Sequence, residues 1–85
     1  MSIQDTVNAA HRIRESAKDL QQRTVVTAEV LQRSGMRLSG AVRGSRTGEQ
    51  AVAQVVGAEH AVRECAARLL TLQSDIDRFI QDLIK

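Results

Sequence analysis

The side chains able to do chemistry are few: His11, His60, the single Cys65, the carboxylates Asp75, Asp77 and Asp82, and the arginines Arg33, Arg37, Arg43 and Arg46. Acid–base or nucleophilic catalysis needs a reactive group held within hydrogen-bond reach of a base. A zinc site needs three or four ligands at close spacing. The two histidines lie far apart, and a chain folded back on itself would place His11 near position 79 and His60 near position 30. Neither then finds ligands or a catalytic partner, and both are expected on the surface. Cys65 is expected to fill core as a small hydrophobe beside Thr24, Val25 and Val26. The three aspartates lack the glycine-bearing loop of a calcium site and are read as a solvated face. Gly35 and Gly40 have the interval of a phosphate-binding loop, but Ala41 and Val42 stand where Lys and Ser or Thr would be needed. No catalytic or metal set can be assembled, and no cofactor or small-molecule substrate is implied. The reading is a protein that is not an enzyme.

The arginines cluster around a glycine-bearing stretch, and Asp5, Asp75, Asp77 and Asp82 lie toward the two ends of the chain. A basic tip can touch phosphates, anionic lipid or an acidic groove on a partner. It can also be simple solubility, with cations near a helix C-terminus. The net charge of +2 is too small to indicate nucleic acid. With one Phe and no Trp or Tyr, there are no aromatic platforms for base stacking. Nucleic acid and membrane are therefore not the expected partners. No apolar run approaches the roughly 20 residues of a membrane span. The start, MSIQDTVNAAHRIRES, lacks the apolar segment of a secretory signal. A cytoplasmic location is expected, or export by a route without a cleaved signal.

Two long helices must carry these residues. The chain has 85 residues and no proline, and its abundant Ala, Arg, Gln, Glu and Leu favour helix. Ser2 with Asp5 fits an N-terminal cap. Ile3, Val7, Ala10, Ile13, Ala17, Leu20, Thr24, Ala28, Leu31, Gly35 and Leu38 then recur in steps of three and four, one helical face. Farther on, Val55, Val62, Leu69, Ile76 and Leu83 recur every seven residues, as do Ala51, Ala58, Cys65, Leu72 and Phe79. Together they predict the a and d rows of a coiled-coil seam. Glu59 with Arg63, and Glu64 with Arg68, are spaced for ion pairs along the exposed side. Thr47 with Gln50 predicts the second N-cap. The expected domain is thus one hairpin over 1–85: helix 3–42, bend 43–47, helix 48–84. Facing residues should have numbers summing to about 90, because both arms rise equally per residue. Ile13 should meet Ile76, Leu20 should meet Leu69 or Leu70, and Ile3 should lie near Ile84.

This all-α, antiparallel two-helix hairpin would leave apolar surface over. Val52, Val56, Ala66, Leu70, Ile80 and Ile84 flank the predicted seam, and Val25, Val26 and Val30 widen the first helix's face. A partner helical protein, in a homo- or heterodimer, would cover that stripe and complete a four-helix bundle. A monomer whose long Arg and Gln side chains shield it is the alternative.

The plan resembles the WXG100 (ESAT-6-like) proteins of type VII secretion: under a hundred residues, a helical hairpin and a glycine-bearing bend. Leu38-Ser39-Gly40 corresponds to the family's Trp-x-Gly at the bend, and Gly44 to Val52 resembles the small-residue start of its second helix, so Leu38, Gly40, Gly44 and Gly48 are the bend residues. Tryptophan is absent, and without tyrosine the family's C-terminal Tyr-x-x-x-Asp/Glu export signal is absent too. The resemblance implies the non-signal half of a heterodimer, or a targeting partner of the helical N-terminal domain of a secreted effector. A self-associating coiled-coil module and a basic-tip binder of nucleic acid or anionic membrane stand beside it.

Overall fold

The computed structural model describes residues 2–85 and consists of two helices, α1 (Ile3–Ala41) and α2 (Arg46–Leu83), packed along their whole length. The hairpin is a rod of 62 × 17 × 14 Å, the length that a helix of this size dictates at about 1.5 Å per residue. Among the described residues there is no strand, and no helix is long and apolar enough to cross a membrane.

Each helix starts on a serine. The Ser2 hydroxyl accepts from the Asp5 amide at 3.0 Å, and the Ser45 hydroxyl accepts from the Gly48 amide at 3.1 Å. The second cap corrects the expectation for Thr47, which lies inside the first turn of α2 instead. The bend is correspondingly tighter than 43–47. Val42 caps α1 by donating to the Leu38 carbonyl at 3.0 Å, and the Ser45 amide closes the turn on the Val42 carbonyl at 3.0 Å. Gly44 has φ +81°, the left-handed region in which a Cβ is costly. Leu38-Ser39-Gly40 is not at the reversal; it forms the last turn of α1.

The hairpin register is the expected one. The cluster of Val7, Ala10 and Ile80, with Ile76 and Leu83 against it, holds the open end together. Gly35 faces Val55 in the middle of the bend half, and Gly48 sits against Val42 at the reversal. These pairs keep the expected sum of about 90, so neither arm slips relative to the other.

The phase of the seam is corrected. Ala51, Ala58, Cys65, Leu72 and Phe79 are exposed rather than buried. The row beside Val55, Val62, Leu69, Ile76 and Leu83 is instead Val52, Glu59, Ala66, Gln73 and Ile80, all buried or half-buried. On α1, Ile13 and Leu20 are exposed, and Arg14 and Gln21 take the seam positions between Ala10, Ala17 and Thr24. Both candidate rows of α2 lie three or four residues from the Val55 row, so spacing cannot choose between them. The turn chooses. It lays Gly48 on Val42, and counting on in steps of four and three from Gly48 reaches Val52, Val55 and Glu59.

Polar groups at the seam are satisfied locally. The Gln73 amide donates to the Leu69 carbonyl at 3.2 Å, and Glu59 pairs with Arg63 at 2.7 Å. No ion pair joins Glu64 to Arg68. Small residues elsewhere let the helices approach: Ala17, Ala28 and Ala66 are at most 5% exposed. The cost is bulk, because no large side chain among the described residues is fully buried. A core of this kind contributes little hydrophobic stabilisation.

Candidate partner interface

Two edges flank the seam, and their chemistry differs. One edge carries His11, Lys18, Val25 and Gln32 from α1, and Val56, Arg63, Leu70 and Asp77 from α2. It is laced across the seam. Arg14 donates from Nε to Asp77 Oδ1 at 2.6 Å and from Nη2 to Oδ2 at 3.3 Å, and Arg63 reaches Gln32 at 3.3 Å. The paired Asp77 carboxylate, by hydrogen bond and charge, raises the pKa of Arg14 above its already high value. The sequence does not announce this two-pronged bridge, because three neighbouring aspartates suggest a solvated face; Arg14 between the apolar positions Ala10 and Ala17 is the signal for it.

The opposite edge carries Ile13, Leu20, Thr27 and Ser34 from α1, and Phe79, Leu72, Cys65 and Ala58 from α2. Neither row contains a charged residue from Thr6 to Ala41 or from Ala51 to Phe79. The hydroxyl of Thr27 donates back to the Arg23 carbonyl at 3.0 Å, as Thr6 does to Ser2 at 3.2 Å. Ile13, Leu20, Leu72 and Phe79 are 40–55% exposed. An uncharged, apolar stripe therefore runs the length of one edge, at register heights that bring Ile13 level with Phe79 and Leu20 level with Leu72.

The residues expected to form the partner face scatter. Ala66 and Ile80 are buried between α1 and α2, and Val52 is half-buried there. They belong to the hairpin's own seam. Val56, Leu70 and Ile84 are exposed on the laced edge, whereas Val26 and Val30 are exposed on the outer side of α1. At the bend an open cleft of ≈ 440 Å³ lies among Gly35, Met36, Gly40, Val52 and Val56. Gly40 and Gly44 have open space where a Cβ would stand, and Leu38 is half-buried. Arg33, Arg37, Arg43 and Arg46 are exposed, and none enters an ion pair among the described residues. At the other end, Asp75 pairs with Arg78, and Asp82 with Lys85 at 3.6 Å.

His11, His60 and Cys65 are all exposed and separate. Among the described residues no three His, Cys, Asp or Glu side chains come together as a metal site. Cys65 is a correction: the one-position shift in phase moves it from the seam to the middle of the uncharged edge. No protein-family model, curated protein or solved structure matches this chain.

Proposed function

We propose that this protein is a non-enzymatic helical partner, which works by packing against another helical hairpin in a four-helix bundle. The observation that carries the reading is surface left uncovered. The chain exposes 6303 Å², against about 5,000 Å² for a compact monomer of its mass. The excess of about 1,300 Å² is more than the ~800 Å² each partner buries in a standard interface. Large apolar side chains contribute to the uncovered surface, among them Ile13, Leu20, Leu72 and Phe79 at 40–55% exposed along one stripe.

The narrower reading is an adaptor of type VII secretion, paired with another WXG100-like protein or with the helical N-terminal domain of an effector. It is supported by the hairpin plan and by Leu38-Ser39-Gly40 close to the bend. Leu38 and Gly40 would then lie beside the composite surface that such a pair presents.

Sedimentation equilibrium of the purified chain tests the pairing reading. A folded, monodisperse monomer at tens of micromolar overturns it. Depleting the chain from its host tests the secretion reading. Secretion of a type VII effector should fall while unrelated secretion continues; unchanged effector secretion overturns that assignment.

A further inference from the structure

We infer that the uncharged edge is closed by a second copy of this chain, lying antiparallel to the first, so that each bend meets the other's chain ends. The inference rests on the pairing reading and specifies its face, occupant and direction.

The face follows from desolvation. Covering the laced edge would bury Arg63, Asp77 and Lys18 or force their bonds to rearrange, and buried charges are costly unless every partner is kept. Covering the other edge buries no charge from its two rows. Its threonine hydroxyls at positions 6 and 27 are already bonded to their own helix.

The occupant follows from shape. The stripe tapers: Ile13, Leu20, Leu72 and Phe79 fill the half near the chain ends, whereas Ser34, Ala41, Ala51 and Ala58 line the half near the bend. A second copy turned end for end sets each bulky half on a small-residue half. The patch is complementary to itself, as a two-fold interface requires. A copy laid in the same direction would stack bulky on bulky and small on small, leaving voids at the bend.

Charge agrees with the antiparallel choice. From position 33 to 57 there are four arginines and one glutamate, whereas positions 75–85 hold three aspartates against Arg78 and Lys85. Antiparallel pairing lays the basic bend beside a nearly neutral end, where Asp75, Asp77 and Asp82 pair within the hairpin with Arg78, Arg14 and Lys85, whereas parallel pairing would set two basic bends together.

The symmetry makes one position diagnostic. Cys65 is at the centre of α2 (Arg46–Leu83) and at the centre of the stripe. In the antiparallel arrangement α2 crosses α2 of the second copy, and the two-fold axis brings Cys65 next to its own counterpart. In a parallel arrangement Cys65 would lie over α1 instead, near Thr27.

The test uses the full chain, sedimentation equilibrium and a short bismaleimide cross-linker, which joins two thiols as thioethers. The chain should be a dimer at tens of micromolar. Cross-linking through its single cysteine should then convert most of it to a covalent dimer, and 6 M urea should suppress that conversion. Leu20→Glu and Leu72→Glu should each weaken self-association at least tenfold, whereas Leu70→Glu, on the laced edge, should leave it within about twofold. Far-UV circular dichroism, with helix retained, separates lost association from lost folding, and the cross-link on the unsubstituted chain needs no variant. A dimer that cross-links poorly overturns the antiparallel arrangement. A dimer broken by Leu70→Glu or Val56→Glu but not by Leu72→Glu overturns the assigned edge, and leaves the pairing reading standing. A chain that stays unfolded alone and folds only with a different helical protein overturns the second copy as occupant, again sparing the pairing reading. A stable folded monomer overturns both.

Discussion

Replacing Gly48 by alanine isolates the contact that sets the phase of the whole hairpin. A Cβ at Gly48 would stand 2.5 Å from Val42 Cβ and 2.9 and 3.0 Å from its two methyls. The nearest of these atoms is attached directly to the backbone, so it cannot swing away as the tip of a long side chain would. Overpacking of this kind costs about 1–3 kcal/mol, here toward the upper part of the range. Alanine regains about 1 kcal/mol of helix propensity at the same site. The net expectation is a loss of about 1–2 kcal/mol, which lowers the melting temperature of a domain this size by roughly 4–15 °C. Gly57→Ala is the internal control. It lies in the same helix with open space around its Cβ position, so only the propensity gain of about 1 kcal/mol should appear. Val42→Gly should recover most of the loss in the double variant, since it removes the atom that is struck. Thermal and urea unfolding followed at 222 nm, at one fixed protein concentration because association adds to stability, would measure all four chains. The reasoning fails if Gly48→Ala is as stable as the parent, or if Val42→Gly adds a second full loss instead of offsetting the first.

Other consequences can be checked in the same assay. Ser45→Ala should cost about 1 kcal/mol as a lost N-cap, and Thr47→Ala under about 0.5 kcal/mol; the reverse order would restore Thr47 as the cap. Gly44→Ala, at φ +81°, should lose about 1 kcal/mol to left-handed strain, measured by the same unfolding midpoint. Asp77→Asn should lower the melting temperature and shrink the effect of salt on it, and Arg14→Met should lose less than Arg14→Ala, because the methionine keeps the packing of the stem at the seam. Gln73→Leu should raise stability by about 1 kcal/mol, because Gln73 is 8% exposed and bonds only to its own helix; a fall would mean that this amide does more than fill a seam position.

Much of the fold was legible because helices announce themselves locally. The absence of proline, the serine start at Ser2 and the steps of three and four along both halves require two long helices, and equal arm lengths around one bend fix which residue faces which. The site was less legible. The Val55 row is common to two possible seams, and apolarity alone favours the Ala51–Phe79 row over the Val52–Ile80 row, which contains Glu59 and Gln73. That preference assumes that the most apolar row must be the hairpin's own core. Glu59 and Gln73 are tolerated because each bonds within its own helix, a solution invisible to a count of hydrophobic positions. Arg14 is tolerated for a different reason: it reaches across the seam to Asp77.

The sequence by itself therefore determined the helices, their lengths and their antiparallel register, since these depend on propensity, periodicity and rise per residue. The tertiary structure decided the rotation of each helix about its axis. That rotation is set by one close contact at the reversal, Gly48 on Val42, and a helix is rigid enough to carry the choice to its far end. A shift of one position along α2 turns Cys65, Leu72 and Phe79 outward and draws Ala66, Gln73 and Ile80 inward. What looked like core became surface, and that surface is where the hairpin has most to gain from a second one.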